Sequence, residues 1–231
     1  MPLTQVNDHT FMRQLVSRDS IVIDLGANHG GFSHTMANNF KCKCIAIEPN
    51  PALCKTIKPH ALITVKNVAV AATSGILPFH VCKNDEASSL IRTDNNDAIE
   101  TIQVPSITLR ALLAQLNIES VDLLKMDIEG AEIDVLNECP DDLLCRVKQI
   151  TVEFHDFNGL ISRESAVGVI DRLHQLGFHV FPMWMRSHGD TLFVNRSITK
   201  LGNFDRIWSR RVVRNWWWTK RFIKRKLNLE N

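Results

Sequence analysis

The stretch that decides the fold is residues 21–33, which read IVIDLGANHGGFS. Its first half is a short run of apolar, mostly β-branched residues, which is typical of a buried parallel strand. A glycine-rich turn follows, and a helix is predicted to begin at Phe32. Glycines at such a turn let a ligand approach the backbone and leave the N–H groups of the helix N-terminus directed at it. The stretch therefore predicts a strand, turn and helix that bind a ligand at the turn.

The residues around this turn indicate the kind of ligand. The dinucleotide fingerprint G-x-G-x-x-G would need a glycine where Asn28 stands, and Asp24 lies on the strand just before the turn. A carboxylate there would repel a pyrophosphate, whereas it suits a cationic or amine-bearing ligand. A second apolar run, 44–47, ends at Glu48, which is placed to accept hydrogen bonds from ribose hydroxyls. The pattern D-x-G-x-x-x-G thus favours S-adenosylmethionine over a dinucleotide, and the alternative is that the glycines serve only a tight turn.

Five segments of the chain resemble the FkbM family of S-adenosylmethionine-dependent methyltransferases, in the order expected for that family. The segment most specific to the family is 123–136, which reads LLKMDIEGAEIDVL. The other four are residues 24–33, 47–51, 67–70 followed by Gly75, and 152–155. The resemblance implies a class I methyltransferase fold and transfer of a methyl group to oxygen, often on sugar hydroxyls or polyketides. It does not identify the acceptor.

The alternation of strand and helix patterns predicts an α/β fold with a doubly wound, mostly parallel sheet of the seven-stranded, Rossmann-like methyltransferase type. Residues 77–81 and 100–104 are predicted as an added antiparallel hairpin, and residues 4–18 as an introductory helix. We expect an S-adenosylmethionine-binding methyltransferase domain over residues 1–202 and a basic, tryptophan-rich helical extension over residues 203–231. Ligands of such sheets bind beyond the carboxyl ends of the strands, where the motifs fall.

The cofactor is predicted to contact the turn and the ends of four strands. Asp24 is expected near the methionine amine, although it could instead cap the helix. Glu48 is expected on the ribose, because a carboxylate at the end of a buried strand needs partners. Asn67 and Val68 are expected to edge the adenine, and Asp127 to face the transferred methyl group. The full set of predicted cofactor ligands is Asp24, Gly26, Asn28, Gly30, Phe32, Ser33, Glu48, Asn67, Val68 and Asp127.

The predicted catalytic residues are His155, Asp127, Lys125 and Glu129. An alcohol is a poor nucleophile while protonated, and a positioned base is worth about 10²–10⁴-fold in rate. His155 is the first candidate for that base because histidine titrates in the useful range, and Asp127 is the second. Lys125 is expected on the same side of its strand as Asp127 and paired with a carboxylate. The alternatives are strand-to-helix capping and a histidine that only packs or orients the acceptor.

No metal is predicted. The cysteines are scattered, and the C-x-C at 42–44 lacks a second pair at zinc-finger spacing. We therefore expect reduced thiols in a cytosolic protein. The alternative is a magnesium site between Asp127 and Glu153, His155 or Asp156, since Mg²⁺ prefers oxygen ligands.

Residues 203–231 are strongly basic and rich in aromatic side chains. They carry nine basic and two acidic residues, a net charge of +7, while the rest of the chain stands at −5. Apolar residues at helical spacing, among them Trp208 and Trp216, predict a helix. It either packs on the domain or lies at an anionic membrane or glycan carrier, where tryptophan and basic residues suit the interface. Nucleic acid is not expected as a partner, because the charge permits binding but no recognition motif is found.

The sequence therefore predicts a cytoplasmic, S-adenosylmethionine-dependent O-methyltransferase whose acceptor is a hydroxyl of a sugar, glycan, glycolipid or secondary metabolite. The chain has no apolar run of about 18 residues that would span a membrane, and its first residues lack the basic and apolar regions of a signal peptide. Peripheral contact with an anionic membrane through residues 203–231 is compatible with both observations. The rival interpretation is a non-catalytic protein that keeps the fold and uses the basic region to bind a membrane or nucleic acid.

Overall fold

The computed structural model describes residues 3–82, 88–91, 98–184 and 187–199. The predicted helical extension over residues 203–231 lies outside these ranges and stays a prediction. Within them, every helix falls short of the length and apolar character that crossing a membrane requires.

Twelve strands and seven α-helices are present in the described ranges, and most are short. The strands are β1 (Leu3–Val6), β2 (His9–Met12), β3 (Ile21–Leu25), β4 (Lys43–Ile47), β5 (Ile63–Lys66), β6 (Ala69–Val70), β7 (Gly75–Cys82), β8 (Ala98–Ile107), β9 (Val121–Met126), β10 (Val147–Val152), β11 (Phe178–Pro182) and β12 (Thr191–Asn195). The helices are α1 (Gly31–Thr35), α2 (Pro51–Cys54), α3 (Leu109–Gln115), α4 (Glu132–Glu138), α5 (Asp141–Leu144), α6 (Arg163–Gln175) and α7 (Arg196–Thr199). A 3₁₀ turn (Arg13–Leu15) follows β2, and a π-helical turn (Met36–Phe40) continues α1.

Seven strands form a central sheet in the order β5-β4-β3-β9-β10-β12-β11. The strands from β5 to β10 run parallel, whereas β12 is antiparallel to both β10 and β11. The strand order reverses between β3 and β9, which is where ligands of doubly wound sheets bind. The predicted doubly wound, mostly parallel sheet is confirmed.

Helices cover both faces of this sheet, because successive residues of a buried strand point to opposite sides. On β3, Ile23 and Leu25 pack with residues of α3, α4 and α6 in the larger apolar cluster. Val22 points to the other face and packs with residues of α1 and β2. Asp24 shares the face of Val22 and is fully buried there. A carboxylate in this position needs a partner charge, which the site supplies.

The introductory helix predicted over residues 4–18 is wrong, since β1 and β2 form an antiparallel hairpin. Asn7 and Asp8 occupy its turn with φ of 45° and 64°. Such a left-handed pair is what a type I′ turn needs, and asparagine and aspartate tolerate it better than most residues. Turn chemistry thus prevailed over the apparent helical spacing of the apolar residues.

The hairpin is fastened to the carboxyl-end side of the sheet. The amide oxygen of Gln149, on β10, accepts a hydrogen bond of 2.8 Å from the backbone N–H of Met12. The carboxylate of Asp190, just before β12, accepts one of 2.7 Å from the hydroxyl of Thr10. These contacts bring His9, the first residue of β2, to the edge of the sheet where the motifs meet.

A second sheet has three strands in the order β6-β8-β7. β7 and β8 are antiparallel, which confirms the added hairpin predicted from residues 77–81 and 100–104. β6 runs parallel to β8 and follows directly on β5 in the chain. Its two residues therefore sit beside the central sheet, where they help to wall the site.

Candidate active site

A cleft of about 540 Å³ opens at the carboxyl ends of the central strands, a size typical of small-molecule sites. Its walls come from the glycine turn after β3, the β1–β2 turn, β6 and the residues that follow β4, β9 and β10. Half of the predicted cofactor ligands line it: Gly26, Asn28, Phe32, Glu48 and Asp127. The structure does not bring the other five to the cleft wall: Asp24, Gly30, Ser33, Asn67 and Val68.

The glycine turn is shaped by close approach of two strands. Gly26 has φ of +75°, and a Cβ at this position would lie 1.8 Å from the backbone oxygen of Asp127. A side chain there would force β3 and β9 apart. Gly30, with φ of +78°, is the N-cap of α1. Both glycines are therefore required by the packing of the turn, because a Cβ would collide with Asp127 at Gly26 and with Ile57 at Gly30.

Glu48 is buried and held by the backbone on both carboxylate oxygens. Its Oε2 accepts the N–H of Asn28 and its Oε1 the N–H of Asn50, each at 2.8 Å. Burial raises the pKa of Glu48, and these donors act against that rise. A carboxylate has about four lone-pair positions, so the fixed group can still accept ribose hydroxyls at the cleft.

Asn67 supports the turn that carries Glu48. Its side-chain N–H₂ donates to the backbone oxygens of Glu48 and Pro49 at 2.8 and 2.9 Å. Ala69 and Val70 line the cleft in its place. The contact of Asn67 and Val68 with adenine stays a prediction, although neither residue lines the cleft.

Lys125 joins the buried Asp24 to the cleft. Its Nζ lies 3.2 Å from Asp24 Oδ1 and 3.6 Å from Asp127 Oδ2, so it shares the side of its strand with Asp127 as predicted. It also donates to the backbone oxygens of Leu25 and Gly26. Burial alone would lower the pKa of Lys125, but the two carboxylates raise it. Asp24, whose Oδ2 also accepts the Ser33 hydroxyl at 2.7 Å, therefore acts on the cleft through this cation.

Asp127 lies at the centre of the cleft with 27% of its side chain exposed. His9 approaches it from the hairpin, with 3.4 Å between Nε2 and Oδ2. Burial would raise the pKa of Asp127, but Lys125 and His9 hold it well below its usual range. Asp127 is therefore a firmly ionised carboxylate and a weak base.

His155 is clasped between two glutamates. Its Nε2 lies 3.2 Å from Glu129 Oε2, and its Nδ1 lies 3.2 Å from Glu132 Oε1. Burial would lower the pKa of His155, but hydrogen bonds to Glu129 and Glu132 raise it to about 11. The imidazole is also buried and does not line the cleft. A protonated, buried histidine has no free lone pair for a substrate proton, so this geometry disfavours His155 as the base.

The turn after β9 is built around Glu132 and Glu129. Glu132 is fully buried, and its carboxylate accepts the N–H groups of Ile128 and Gly130. Glu129 lines the cleft and has φ of +54°, a left-handed conformation that costs a glutamate energy. The strained backbone directs Glu129 both toward His155 and toward the cleft.

Glu153, which follows β10, is the carboxyl group best suited to accept a proton. It lines the cleft, and no donor among the described residues hydrogen-bonds to its carboxylate. Burial, followed by the negative charge of Asp127, raises the pKa of Glu153 to about 8. Such a group gains and loses a proton in the physiological range.

Two overlapping groups of side chains could offer atoms to a metal ion. They are His9, Asp127 and Glu153, and Asp127, Glu129 and His155, and the ligand atoms of each group lie within 4.8 Å of one another. Lys125 and the protonated His155 already offset the nearest negative charges. Asp156, the other candidate, instead bonds His188 at 2.7 Å. The prediction that no metal is needed stays a prediction.

The sequence also did not predict His9, Phe157 and Trp184 at the site, and it gave Glu153 only as an alternative metal ligand. His9 could have been found from the turn signal at Asn7 and Asp8, flanked by alternating apolar residues. Phe157 and Trp184 come from separate loops, and no sequence pattern links them.

A family model for the methyltransferase FkbM domain matches residues 24–180. The 2-O-methyltransferase NoeI of Sinorhizobium fredii is 28% identical over 147 residues, which cover 54% of this chain and 60% of that protein. Methyltransferase 1 of Beauveria bassiana is 28% identical over 166 residues, which cover 61% of this chain and 67% of that protein. The AMB antimetabolite synthetase AmbE of Pseudomonas aeruginosa is 25% identical over 203 residues, which cover 70% of this chain and 10% of that protein.

A solved structure of similar fold is that of methyltransferase FkbM from Methylobacillus flagellatus. It has a TM-score of 0.52 and 12% identity, with 77% of this chain and 44% of that chain covered. This chain therefore covers between about a tenth and two thirds of the length of these proteins.

Proposed function

The chain belongs to the FkbM methyltransferase family, and from that premise we propose that it transfers the methyl group of S-adenosylmethionine to a hydroxyl oxygen. The acceptor is a sugar, glycan, glycolipid or secondary metabolite. The observation that carries the proposal is one cleft with two chemically different regions. Glu48 lies in one, and Asp127 with Glu153 lies in the other.

The Glu48 region suits the nucleoside part of the cofactor. The Glu48 carboxylate is fixed by two backbone donors and keeps acceptor capacity toward the cleft. Ala69 and Val70 supply an apolar wall beside it. Gly26 and Asn28 of the glycine turn line the cleft, so a ligand can contact the turn there.

The carboxylate region suits a positively charged donor and a hydroxyl acceptor. When bound, the cofactor supplies a methyl group on a cationic sulfur that an oxygen nucleophile can attack. Asp127, held ionised by Lys125 and His9, provides negative charge and an acceptor that orients the hydroxyl. Glu153 takes up the hydroxyl proton, because its carboxylate pairs with no cation or donor in the described part of the chain. His155 keeps Glu129 in place from behind the cleft wall.

Oxygen as the methyl acceptor is supported by the chemistry of the carboxylates and by the name of one relative, a 2-O-methyltransferase. Rate acceleration would come from holding the hydroxyl in line with the methyl group, together with proton removal. The experiment is incubation of the protein with methyl-labelled S-adenosylmethionine and separate panels of glycosides, phenols and primary amines. We expect label on a glycoside hydroxyl. Label only on an amine, with none on any hydroxyl, would contradict the proposal.

A further inference from the structure

Two aromatic rings form a platform at the mouth of the cleft. Phe157 and Trp184 both line it, with ring centroids 5.9 Å apart and an angle of 33° between the ring planes. Phe157 is 46% exposed, which is unusual for a large apolar side chain in a pocket. The His155 ring lies 5.6 Å behind Phe157, tilted by 37°. The three rings thus extend from the clasped histidine out to the solvent.

The platform is held by a bond between the two loops that carry it. Phe157 follows β10, and Trp184 follows β11. Asp156, whose side chain is 2% exposed, accepts the backbone N–H of His188 at 3.0 Å and contacts its ring Nδ1 at 2.7 Å. This pair ties the loop of Phe157 to the loop of Trp184.

Gly189 leaves the room that the Phe157 ring occupies. A Cβ at Gly189 would lie 3.2 and 3.3 Å from two atoms of that ring. The ring is therefore backed by packing on one side while it stays open to the cleft on the other. A backed, exposed ring is a surface on which a ligand can lie.

Carboxylates of the same cleft lie beside the platform. Glu129 bonds the His155 ring on which Phe157 packs, and Glu153 also lines the cleft. A ligand resting on the rings would place its edge toward acceptors that need hydrogen-bond donors. The surface therefore combines apolar faces with negative acceptors at one edge.

We propose that Phe157 and Trp184 form the acceptor subsite and that it takes one face of a pyranose ring. This inference rests on the proposed function and names its acceptor. The C–H groups on one face of a sugar ring are weakly positive and suit the negative faces of aromatic rings. The hydroxyls around the edge supply donors to Glu129 and Glu153. An arene without several hydroxyls would cover the rings but leave the Glu153 carboxylate, which accepts no hydrogen bond from the described residues, without a donor, and burial makes that costly.

The test uses the full chain saturated with S-adenosylhomocysteine and an array of methyl glycosides of glucose, galactose, mannose, fucose and rhamnose. Phenol is the flat-ring comparison, and glycerol is the comparison that has hydroxyls but no ring face. Saturation-transfer NMR reports which ligand protons touch the protein. We expect transfer to the ring C–H protons of at least one glycoside and weaker transfer to phenol and glycerol.

The variants are Phe157→Ala and Phe157→Leu, with Ile76→Ala, an exposed position on β7, as the control. Loss of the aromatic face should weaken glycoside binding by about tenfold in both Phe157 variants, and the control should bind as the unaltered chain does. Unchanged affinity for S-adenosylhomocysteine shows that the variants are folded.

Three outcomes would overturn the subsite: no glycoside binds, phenol binds better than every glycoside, or Phe157→Ala binds as well as the unaltered chain. Failure of the unaltered chain to bind S-adenosylhomocysteine would instead contradict the proposed function. The two failures are therefore distinguishable.

Discussion

The ring of His9 lies 3.4 Å from the carboxylate of Asp127, although 118 residues separate them in the chain. The contact exists because the β1–β2 hairpin is fastened to Gln149 and Asp190. An N-terminal hairpin thereby completes a site whose other groups come mainly from the central sheet, the glycine turn and the second sheet. It also supplies one of the side chains that hold the pKa of Asp127 low, the others being Lys125 and His155.

Replacement of His9 by alanine should lower the free energy of unfolding by about 1–3 kcal/mol near neutral pH, because Asp127 loses a buried partner. The depressed pKa of Asp127 contributes stability above its usual range and loses it as the pH falls. The difference between variant and unaltered chain should therefore shrink in acid. Urea unfolding measures it, with the exposed His174→Ala as control. Equal stability of the two variants near neutral pH would show that the contact contributes nothing.

Glu48→Ala should weaken S-adenosylhomocysteine binding by at least about tenfold, since a hydrogen bond to a charged group is worth roughly 1.5–3 kcal/mol. Isothermal titration calorimetry measures the affinity. The exposed Glu119→Ala is the matched control and should bind normally. An unchanged affinity in Glu48→Ala would remove the ribose assignment.

Glu153→Gln should slow methyl transfer by about 10²–10⁴-fold while cofactor affinity stays near that of the unaltered chain. The unaltered rate should rise with pH around the pKa of Glu153, about 8, and level off above it, and the variant should lack this rise. Rates across the pH range, with the exposed Glu138→Gln as control, test this.

The same rates in two other variants separate the roles of Asp127 and His155. Asp127→Ala and His155→Ala should both be slow, but His155→Ala should keep the pH-dependent rise. If the rise instead vanished in His155→Ala and persisted in Glu153→Gln, histidine would be the base. Activity lost on adding EDTA and restored by Mg²⁺ would favour the metal site.

Glu153 should also give the folded protein an unusual loss of stability toward alkaline pH. Its pKa is about 8 when folded and about 4.3 when unfolded, so between these values the folded state binds more protons. The free energy of unfolding attributable to this group therefore falls as the pH rises. Urea midpoints at about pH 5 and about pH 8.5 should converge in Glu153→Gln. A variant with the same pH dependence as the unaltered chain would contradict the raised pKa.

Residues 203–231 should bind anionic vesicles if they form an interfacial helix. Each basic residue near the surface contributes about 1 kcal/mol, and salt should weaken the attraction as the Debye length falls below about 8 Å. Sedimentation with anionic but not neutral vesicles, and a blue shift of tryptophan emission, are the expected results. Truncation after Asn203 should abolish sedimentation and spare cofactor binding. An insoluble truncated protein, together with an intact chain that ignores vesicles, would indicate a helix that covers the core.

The sequence predicted the features that local chemistry determines. The glycine turn follows from a short pattern, and the doubly wound sheet follows from the alternation of strand and helix patterns. The hairpin was mistaken for a helix because its turn residues were given too little weight against apolar spacing. Local sequence was enough to avoid this error, because asparagine and aspartate at adjacent positions are typical of a turn.

Other features depend on contacts between distant parts of the chain. The charge of His155 is determined by Glu129 and Glu132, and a sequence does not reveal that all three are packed together. Asp24 was predicted near the cofactor, but it is buried, pairs with Lys125 from another strand and does not line the cleft. The Phe157 platform needs the loop between β11 and β12, which is distant in the sequence. These features can be predicted only once the topology is known.

The left-handed backbone of Glu129 lowers the stability of the fold at a position whose side chain belongs to the site. A residue with a Cβ pays roughly 1–2 kcal/mol for this conformation, and glycine pays almost none. Glu129→Gly would relieve the turn and at the same time remove the carboxylate that holds His155. Because loss of one partner of a buried ion pair costs about 3–5 kcal/mol, the pair outweighs the strain, and a laboratory selection for heat resistance should retain Glu129 in spite of its backbone conformation.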